Sequence, residues 1–309
     1  MKILVSGSLA YDRILDFPGK FSDSILPDKI HNLNVSFFVP EMKESFGGCA
    51  GNISYGLALL GQEPLIIARG GNDFAEYNAW LQKNAIATGS IEIDLELRTA
   101  TATILTDSED NQISSFYAVA NGKAYSKKIP HADFATISPG NPEDIRTLPE
   151  VFRSRNIPFM FDPGQSLPVL SGDDLKNGIE GAKVLISNDY ELSLIKEKTG
   201  WNEKEILAHA EMLITTFGEK GSRVQTKTDM TEVKAAQPKN VSDPTGAGDA
   251  YRAGFLAGLA GGFAPKTCAQ MGAIAACYTV EREGTQTHSF TKEEFEERYK
   301  ENFNDIITL

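Results

Sequence analysis

Cysteine is scarce in this 309-residue chain. There are three, Cys49, Cys268 and Cys277, and no Cys-x-x-Cys spacing. So sparse and odd a set excludes a disulfide scaffold and fits a reducing compartment. The four histidines, His31, His131, His209 and His288, have no partner at metal-ligand spacing, which excludes a zinc motif. Long apolar runs are missing as well. The longest uncharged one, residues 253–264, is rich in glycine and too short to span a bilayer. Positive charge is in deficit: 30 Lys and Arg stand against 42 Asp and Glu, a net charge of −12. That balance argues against nucleic acid and against an anionic membrane surface. It leaves small anions open, because local dipoles can hold these inside an acidic protein. No block of like charge stands out, so the acidity is a solvated surface. Gly-x4-Gly-Lys-Ser/Thr occurs nowhere, which excludes a P-loop. Internal repeats and low-complexity segments are absent too.

The rest is ordinary globular material, 41% hydrophobic and 23% charged. The length suggests two domains, or one large α/β unit with an appendage. Residues 1–5 could open a signal peptide. Asp12 and Arg13 arrive before an apolar core of useful length, so residues 3–5 read as a first buried strand. A soluble cytoplasmic protein is the expectation. Further short apolar strands are predicted at 64–68, 159–162, 184–187 and 212–216, with helices at 49–60 and 74–84. This alternation predicts an α/β fold with a mostly parallel sheet covered by helices on both faces. The last third reads as helices at 247–259, 265–281 and 292–302. Ala250, Ala253, Gly254, Ala257 and Gly258 make the first of them a close-packing helix. Two regions break the rhythm. Residues 34–39 are β-prone without a crossover helix, and 99–106 and 112–119 read as a hairpin around a turn at 107–111. A small β-sheet projecting from the main body follows, serving as a lid or as a purely structural edge.

The most informative stretch is Asp243-Pro244-Thr245-Gly246-Ala247-Gly248-Asp249. Pro244 and Gly246 make a turn, and Gly246, Ala247 and Gly248 let a ligand approach the backbone closely. The helix that follows points free N–H groups back into that turn, where its dipole favours negative charge. Asp249 sits in the same first turn. A carboxylate beside an anion hole suits one task well: taking a proton from a hydroxyl that attacks a phosphoryl group. The plainer alternative is a helix-capping Asp after a glycine turn. A Rossmann fingerprint does not fit, since its glycines belong after the first strand.

This stretch is similar to the C-terminal signature of the ribokinase-like (PfkB) family of sugar and nucleoside kinases. Phe46-Gly47-Gly48-Cys49-Ala50-Gly51-Asn52 resembles that family's N-terminal Gly-Gly…Asn motif, and Asn188-Asp189-Tyr190-Glu191 its Asn-x-x-Glu motif. Within the family, several stretches resemble bacterial adenosine kinases of the mycobacterial type: Ser6-Gly7-Ser8-Leu9-Ala10-Tyr11-Asp12, Ser36-Phe37-Phe38-Val39, Ser115-Phe116-Tyr117 and Gly284-Thr285-Gln286. The resemblance implies a ribokinase-like fold with a large domain of residues 1–10, 47–96 and 121–309. A discontinuous lid of about 11–46 and 97–120 completes it. It implies ATP-dependent, Mg2+-dependent phosphorylation of the adenosine 5′-hydroxyl to give AMP and ADP, the chemistry of purine salvage. Another purine nucleoside, or a sugar such as ribose or fructose, is the alternative acceptor. A non-catalytic nucleotide-binding regulator is a third reading.

By the same resemblance, Asp249 is the general base, and Gly246, Ala247 and Gly248 stabilise the transferred phosphoryl group. Asp12 accepts from the ribose 2′- and 3′-hydroxyls, while Gly48 and Asn52 line the sugar. Ser8, Ser36, Phe116 and Gln165 lie on the base side. Ala102 stands where an aromatic often lines that pocket. Asn188, Thr216, Gly218, Gly221 and Thr245 join Gly246 and Gly248 around ATP. Asn188 and Glu191 organise Mg2+ through its waters, the alternative being a plain helix cap. Potassium activation occurs in such kinases, and no residue here assigns it. Unpaired lid edges could also pair two copies into a homodimer.

Overall fold

The computed structural model describes residues 1–109 and 111–309. In chain order the elements are β1 (Lys2–Ser6), β2 (Ala10–Asp16), α1 (Phe21–Ser24), β3 (Met42–Gly47), α2 (Cys49–Leu59) and β4 (Glu63–Ile67). Next come β5 (Arg69–Gly70), α3 (Ala75–Lys83), β6 (Glu92–Ile93), β7 (Ala100–Thr106), β8 (Gln112–Tyr117) and β9 (Phe134–Ile137). They are followed by α4 (Pro142–Ser154), β10 (Phe159–Phe161), α5 (Gly172–Ile179), β11 (Val184–Asn188), α6 (Asp189–Thr199) and α7 (Glu203–His209). The chain closes with β12 (Met212–Thr216), β13 (Ser222–Thr226), β14 (Met230–Val233), α8 (Ala247–Ala260), α9 (Pro265–Val280) and α10 (Lys292–Phe303).

The main sheet has the order β14-β13-β12-β11-β10-β9-β1-β4. Its strands from β12 to β4 run parallel, and only β13 and β14 are antiparallel. Alternation along each strand divides the core in two. Ile3, Val5, Met160, Val184, Ile186 and Ile214 enter one cluster, with residues of α2, α8, α9 and α10. Leu4, Phe159, Phe161, Leu185 and Leu213 enter the other, with α4, α5, α6 and α7. Burial on both faces is why these strands read as continuous apolar runs. The small residues of α8 act as expected. A methyl group at Gly254 would lie 2.5 Å from the Met271 carbonyl oxygen, and one at Gly258 would lie 2.8 Å from Cys268 Cα. Among the described residues, no helix is long and apolar enough to cross a membrane.

The second sheet has the order β3-β2-β7-β8. The predicted hairpin is present, with β7 and β8 antiparallel from Thr101↔Tyr117 to Thr106↔Gln112. Of its predicted turn at 107–111, Asp110 lies outside the described residues. The strand expected at 34–39 is not formed. That segment is coil, and Phe37 packs its ring against Phe17 and Phe21 at centroid distances of 4.9 and 5.1 Å. Ring packing rather than a ladder fixes it, and Pro40 ends it. The edge position goes instead to the more polar β3, which pairs with β2 from Ala10↔Gly47 to Leu15↔Met42.

Candidate active site

The site lies where the loops after β1 and β10 meet the N-termini of α2 and α8. Ser8 staples the first of these junctions. Its amide donates to the Pro139 carbonyl at 2.9 Å, its carbonyl accepts from Ala50 N at 3.0 Å, and its Oγ accepts from Cys49 N at 3.1 Å. The chain then turns through Gly48 at φ +86°, where a Cβ would lie 2.5 Å from the Ser8 carbonyl oxygen. Gly47 is held open for a neighbour, since a Cβ there would lie 2.0 Å from Asp12 Oδ2. The Asp12 carboxyl, half-buried on β2, is pushed up to about 6 by burial first, then by the charges of Asp249 and Asp243.

Gly246 caps α8 in the left-handed conformation, φ +78°. Asp243 braces this turn, accepting from Thr245 N at 2.9 Å and from Gly284 N at 3.0 Å. The Ala247 amide is turned to the Pro244 carbonyl at 3.2 Å. The Gly248 amide keeps the free outward position that the first turn of a helix leaves to it. Asp249 accepts from Asn52 Nδ2 at 2.8 Å. Burial pushes its carboxyl up to about 6, against the pull of the Arg252 guanidinium and the Asn52 hydrogen bond. Arg252, one turn further along α8, grips the buried Asp162 with two bonds of 2.5 and 2.6 Å and donates to the Gly248 carbonyl at 2.9 Å. A base with a raised pKa therefore stands beside a helix N-terminus, an arrangement suited to proton removal next to a bound anion.

A cavity of about 680 Å³ adjoins that N-terminus from the other side. Thr216, Gly218 and Gly221 line it together with Ala247 and Gly248. Gly221 turns at φ +98°, where a Cβ would lie 2.1 Å from the Val233 carbonyl oxygen. Its far wall is apolar, with Ala236, Ala273, Ala276 and Val280, a surface on which a planar base could lie. Asn188 and Glu191 form a reciprocal helix cap, Glu191 N donating to Asn188 Oδ1 at 2.7 Å and Asn188 N to Glu191 Oε2 at 2.8 Å. The cap uses one oxygen of Glu191. Among the described residues, no group of three or more His, Cys, Asp or Glu is placed to hold a metal. The donor set therefore fits a metal carried by phosphates and reached through water, and does not fit an all-protein cage.

Residues 20–292 match the model of the pfkB family carbohydrate kinases. The chain belongs to this family. It is therefore a phosphotransferase with the ribokinase fold. It is 31% identical over 277 residues to the nucleoside kinase of Methanocaldococcus jannaschii, covering 88% of this chain and 91% of that protein. The structure of the Burkholderia thailandensis nucleoside kinase in complex with inosine superposes with a TM-score of 0.87 at 32% identity, covering 99% of this chain and 100% of the other. Another structure of that enzyme, in complex with ADP-inosine, gives a TM-score of 0.85 at 34% identity over 99% and 97% of the two chains. These relatives carry the broader name of nucleoside kinase, not adenosine kinase.

In this pfkB kinase the expected site residues fall into three groups, one being the cavity and cap residues Thr216, Gly218, Gly221, Asn188 and Glu191. Ser8, Asp12, Gly48, Asn52, Asp249 and the Gly246–Gly248 turn converge. Ser36, Phe116 and Gln165 are exposed and make no side-chain hydrogen bond among the described residues. Register nevertheless links one of them to Asp12. Asp12 pairs with Ala102, and Ala102 with Phe116, so all three side chains leave the same face of the second sheet. Ala102, between them in register, contributes only a methyl group to that face. Sequence reasoning did not assign Asp162, Arg252, Tyr77, Trp80 or Gln286 to the site. Arg252 had a local signal, lying three residues after Asp249 on one helix face. The other four come from distant segments, and no spacing announces them.

Proposed function

We propose that this kinase transfers the γ-phosphoryl group of ATP to the 5′-hydroxyl of a nucleoside, with adenosine as the acceptor. The reading rests on one observation: Asp249 lies in the first turn of α8, held by Asn52 Nδ2 at 2.8 Å, with its charge acting on the carboxylate of Asp12. Asp12 accepts from the vicinal ribose hydroxyls, which two carboxylate oxygens match. Gly47 leaves the room in which the Asp12 carboxylate stands, and Gly48 the room for the Ser8 carbonyl that sets the turn. Phe116, on the same sheet face as Asp12, stacks on the base. Residues 11–46 and 97–120 close over the acceptor and exclude water, which limits ATP hydrolysis. The 5′-oxygen then attacks the γ-phosphorus, its proton passes to Asp249, and the bond from phosphorus to the bridging oxygen breaks to release ADP. Free N–H groups at the start of α8 take up charge on the phosphoryl oxygens. Asn188 and Glu191 would hold the Mg2+ that accompanies ATP through water, and the ion would supply charge neutralisation.

A wider acceptor range is the second reading, favoured by Ala102, whose small side chain leaves the base pocket open. The test is ADP release across adenosine, inosine, guanosine, ribose and fructose. The proposal expects the highest kcat/KM for adenosine. Equal use of several purine nucleosides selects the second reading, and preference for a free sugar overturns both.

A further inference from the structure

We propose that Trp80 and Gln286 are positioning residues that fix the amide polarity of Asn52, so that Asn52 can turn only its NH2 toward Asp249. This rests on Asp249 being the base of the transfer just described. At the ends of a hydrogen-bonded chain the donor and acceptor roles are chemically forced. An indole N–H only donates. Trp80 Nε1 lies 3.1 Å from Gln286 Oε1, so an oxygen must stand there. A backbone carbonyl only accepts. Tyr77 O–H donates to the Gly47 carbonyl at 2.7 Å, which leaves the phenolic oxygen as acceptor for Gln286 Nε2, 2.7 Å away. Gln286 is thus locked from two sides, with its NH2 toward Asn52 Oδ1 at 3.0 Å. The other end of the Asn52 amide is then its NH2, 2.8 Å from Asp249 Oδ2. An ionised carboxylate only accepts, so the third end agrees with the other two.

Side-chain amides are otherwise free to turn over, and a reversed Asn52 would set its carbonyl oxygen against the Asp249 carboxylate. Water cannot compensate, because Asn52, Tyr77 and Gln286 are 7%, 0% and 2% exposed. The backbone also reserves space for the chain of bonds. A Cβ at Gly51 would lie 1.8 Å from the Tyr77 hydroxyl and 2.9 Å from Gln286 Nε2. The other charged or titratable groups coupled to Asp249 are Arg252, Asp162, Cys49, Asp12 and Tyr77. Of these only Tyr77 hydrogen-bonds Gln286, and none hydrogen-bonds Trp80, so Trp80 acts on Asp249 through Gln286 and Asn52, and Gln286 acts through Asn52 and Tyr77.

The test uses Trp80→Phe, which keeps a ring to stack on Phe46 and Tyr55 but has no N–H, and Gln286→Met, which keeps side-chain length without an amide. For each, kcat and KM are measured from pH 5 to 9. The Asp249 carboxyl is titrated directly by 13C NMR, assigned against Asp249→Asn. Losing a donor to the ionised form raises the carboxyl midpoint, so the acid limb of kcat moves up, by about half to one pH unit, the shift one hydrogen bond supports. KM for ATP stays within about twofold, since the nucleotide cavity is untouched. A kcat that falls equally at every pH, with an unmoved carboxyl midpoint, is the signature of a merely structural role and overturns the proposal. If the wild-type chain phosphorylates no acceptor, the reading of Asp249 as base fails. The carboxyl midpoint still decides whether the relay exists.

Discussion

Two regions of the molecule meet at the candidate site, and they are built differently. Around the N-terminus of α8, side chains are tied to one another. Asp249 is bonded to Asn52, Asn52 to Gln286, and Arg252 to Asp162, with Asn52, Gln286, Arg252 and Asp162 all buried. Across the second sheet the expected acceptor residues stand free, Phe116 being 57% exposed on an edge strand. Reaction chemistry demands fixed geometry, because a proton must be taken from one atom at one distance. Acceptor binding tolerates a surface that closes later. On the proposed reading, the contrast assigns the reaction type to the rigid side and the choice of substrate to the open side.

Substitutions can break this comparison, and the largest effect belongs to the rigid side. Asp249→Asn removes the proton acceptor but keeps size and hydrogen bonding. It is expected to lower kcat by about 10²–10⁴-fold while nucleoside affinity, measured by calorimetry, stays near that of the wild type. Near-normal turnover would show that another group is the base. Arg252→Met leaves Asp162 buried without its partner. Removing one member of a buried pair costs about 3–5 kcal/mol, and denaturant unfolding reads that loss. A change near zero would mean that water enters to replace the guanidinium.

The pH dependence sharpens the comparison, since it samples both regions at once. Asp249 and Asp12 both have carboxyls raised to about 6, and in the proposed mechanism both act ionised. A raised carboxylate loses its charge as pH falls through that value. The kcat/KM for the acceptor is therefore expected to be flat above pH 7 and to drop about tenfold or more for each unit below pH 6. An acid limb near pH 4 would place both carboxylates in an ordinary aqueous environment. The smallest effect is expected on the open side. Phe116→Ala removes one stacking partner, worth about 0.5–1.5 kcal/mol, and should raise KM for a nucleoside several-fold with kcat little changed. If KM for ribose rises equally, Phe116 is not a base contact.

Much of the fold was legible because its signals are local. Buried parallel strands show as apolar runs, and the small residues of α8 announce close packing. The segment 34–39 misled for an equally physical reason. β-propensity reports fitness for a half-buried surface, and Phe37 found that surface by packing on Phe17 and Phe21 without joining a ladder. At the site, Asp249 and its glycine turn lie within seven consecutive residues, so the motif carries its own geometry. Gln286 and Trp80 are separated by 206 residues and meet through a single hydrogen bond. No pattern along the chain connects them.

The sequence by itself determined the layered α/β body, the glycine turn at the start of α8 and the acid beside it, because each depends on neighbours within one or two turns of chain. Only the tertiary structure decided which polarity the buried amides take, which carboxylate Arg252 holds, and that Asp12 and Phe116 share one sheet face across Ala102. Those outcomes depend on register and on donor and acceptor roles imposed from distant segments, and such constraints exist only once the strands and helices are packed together.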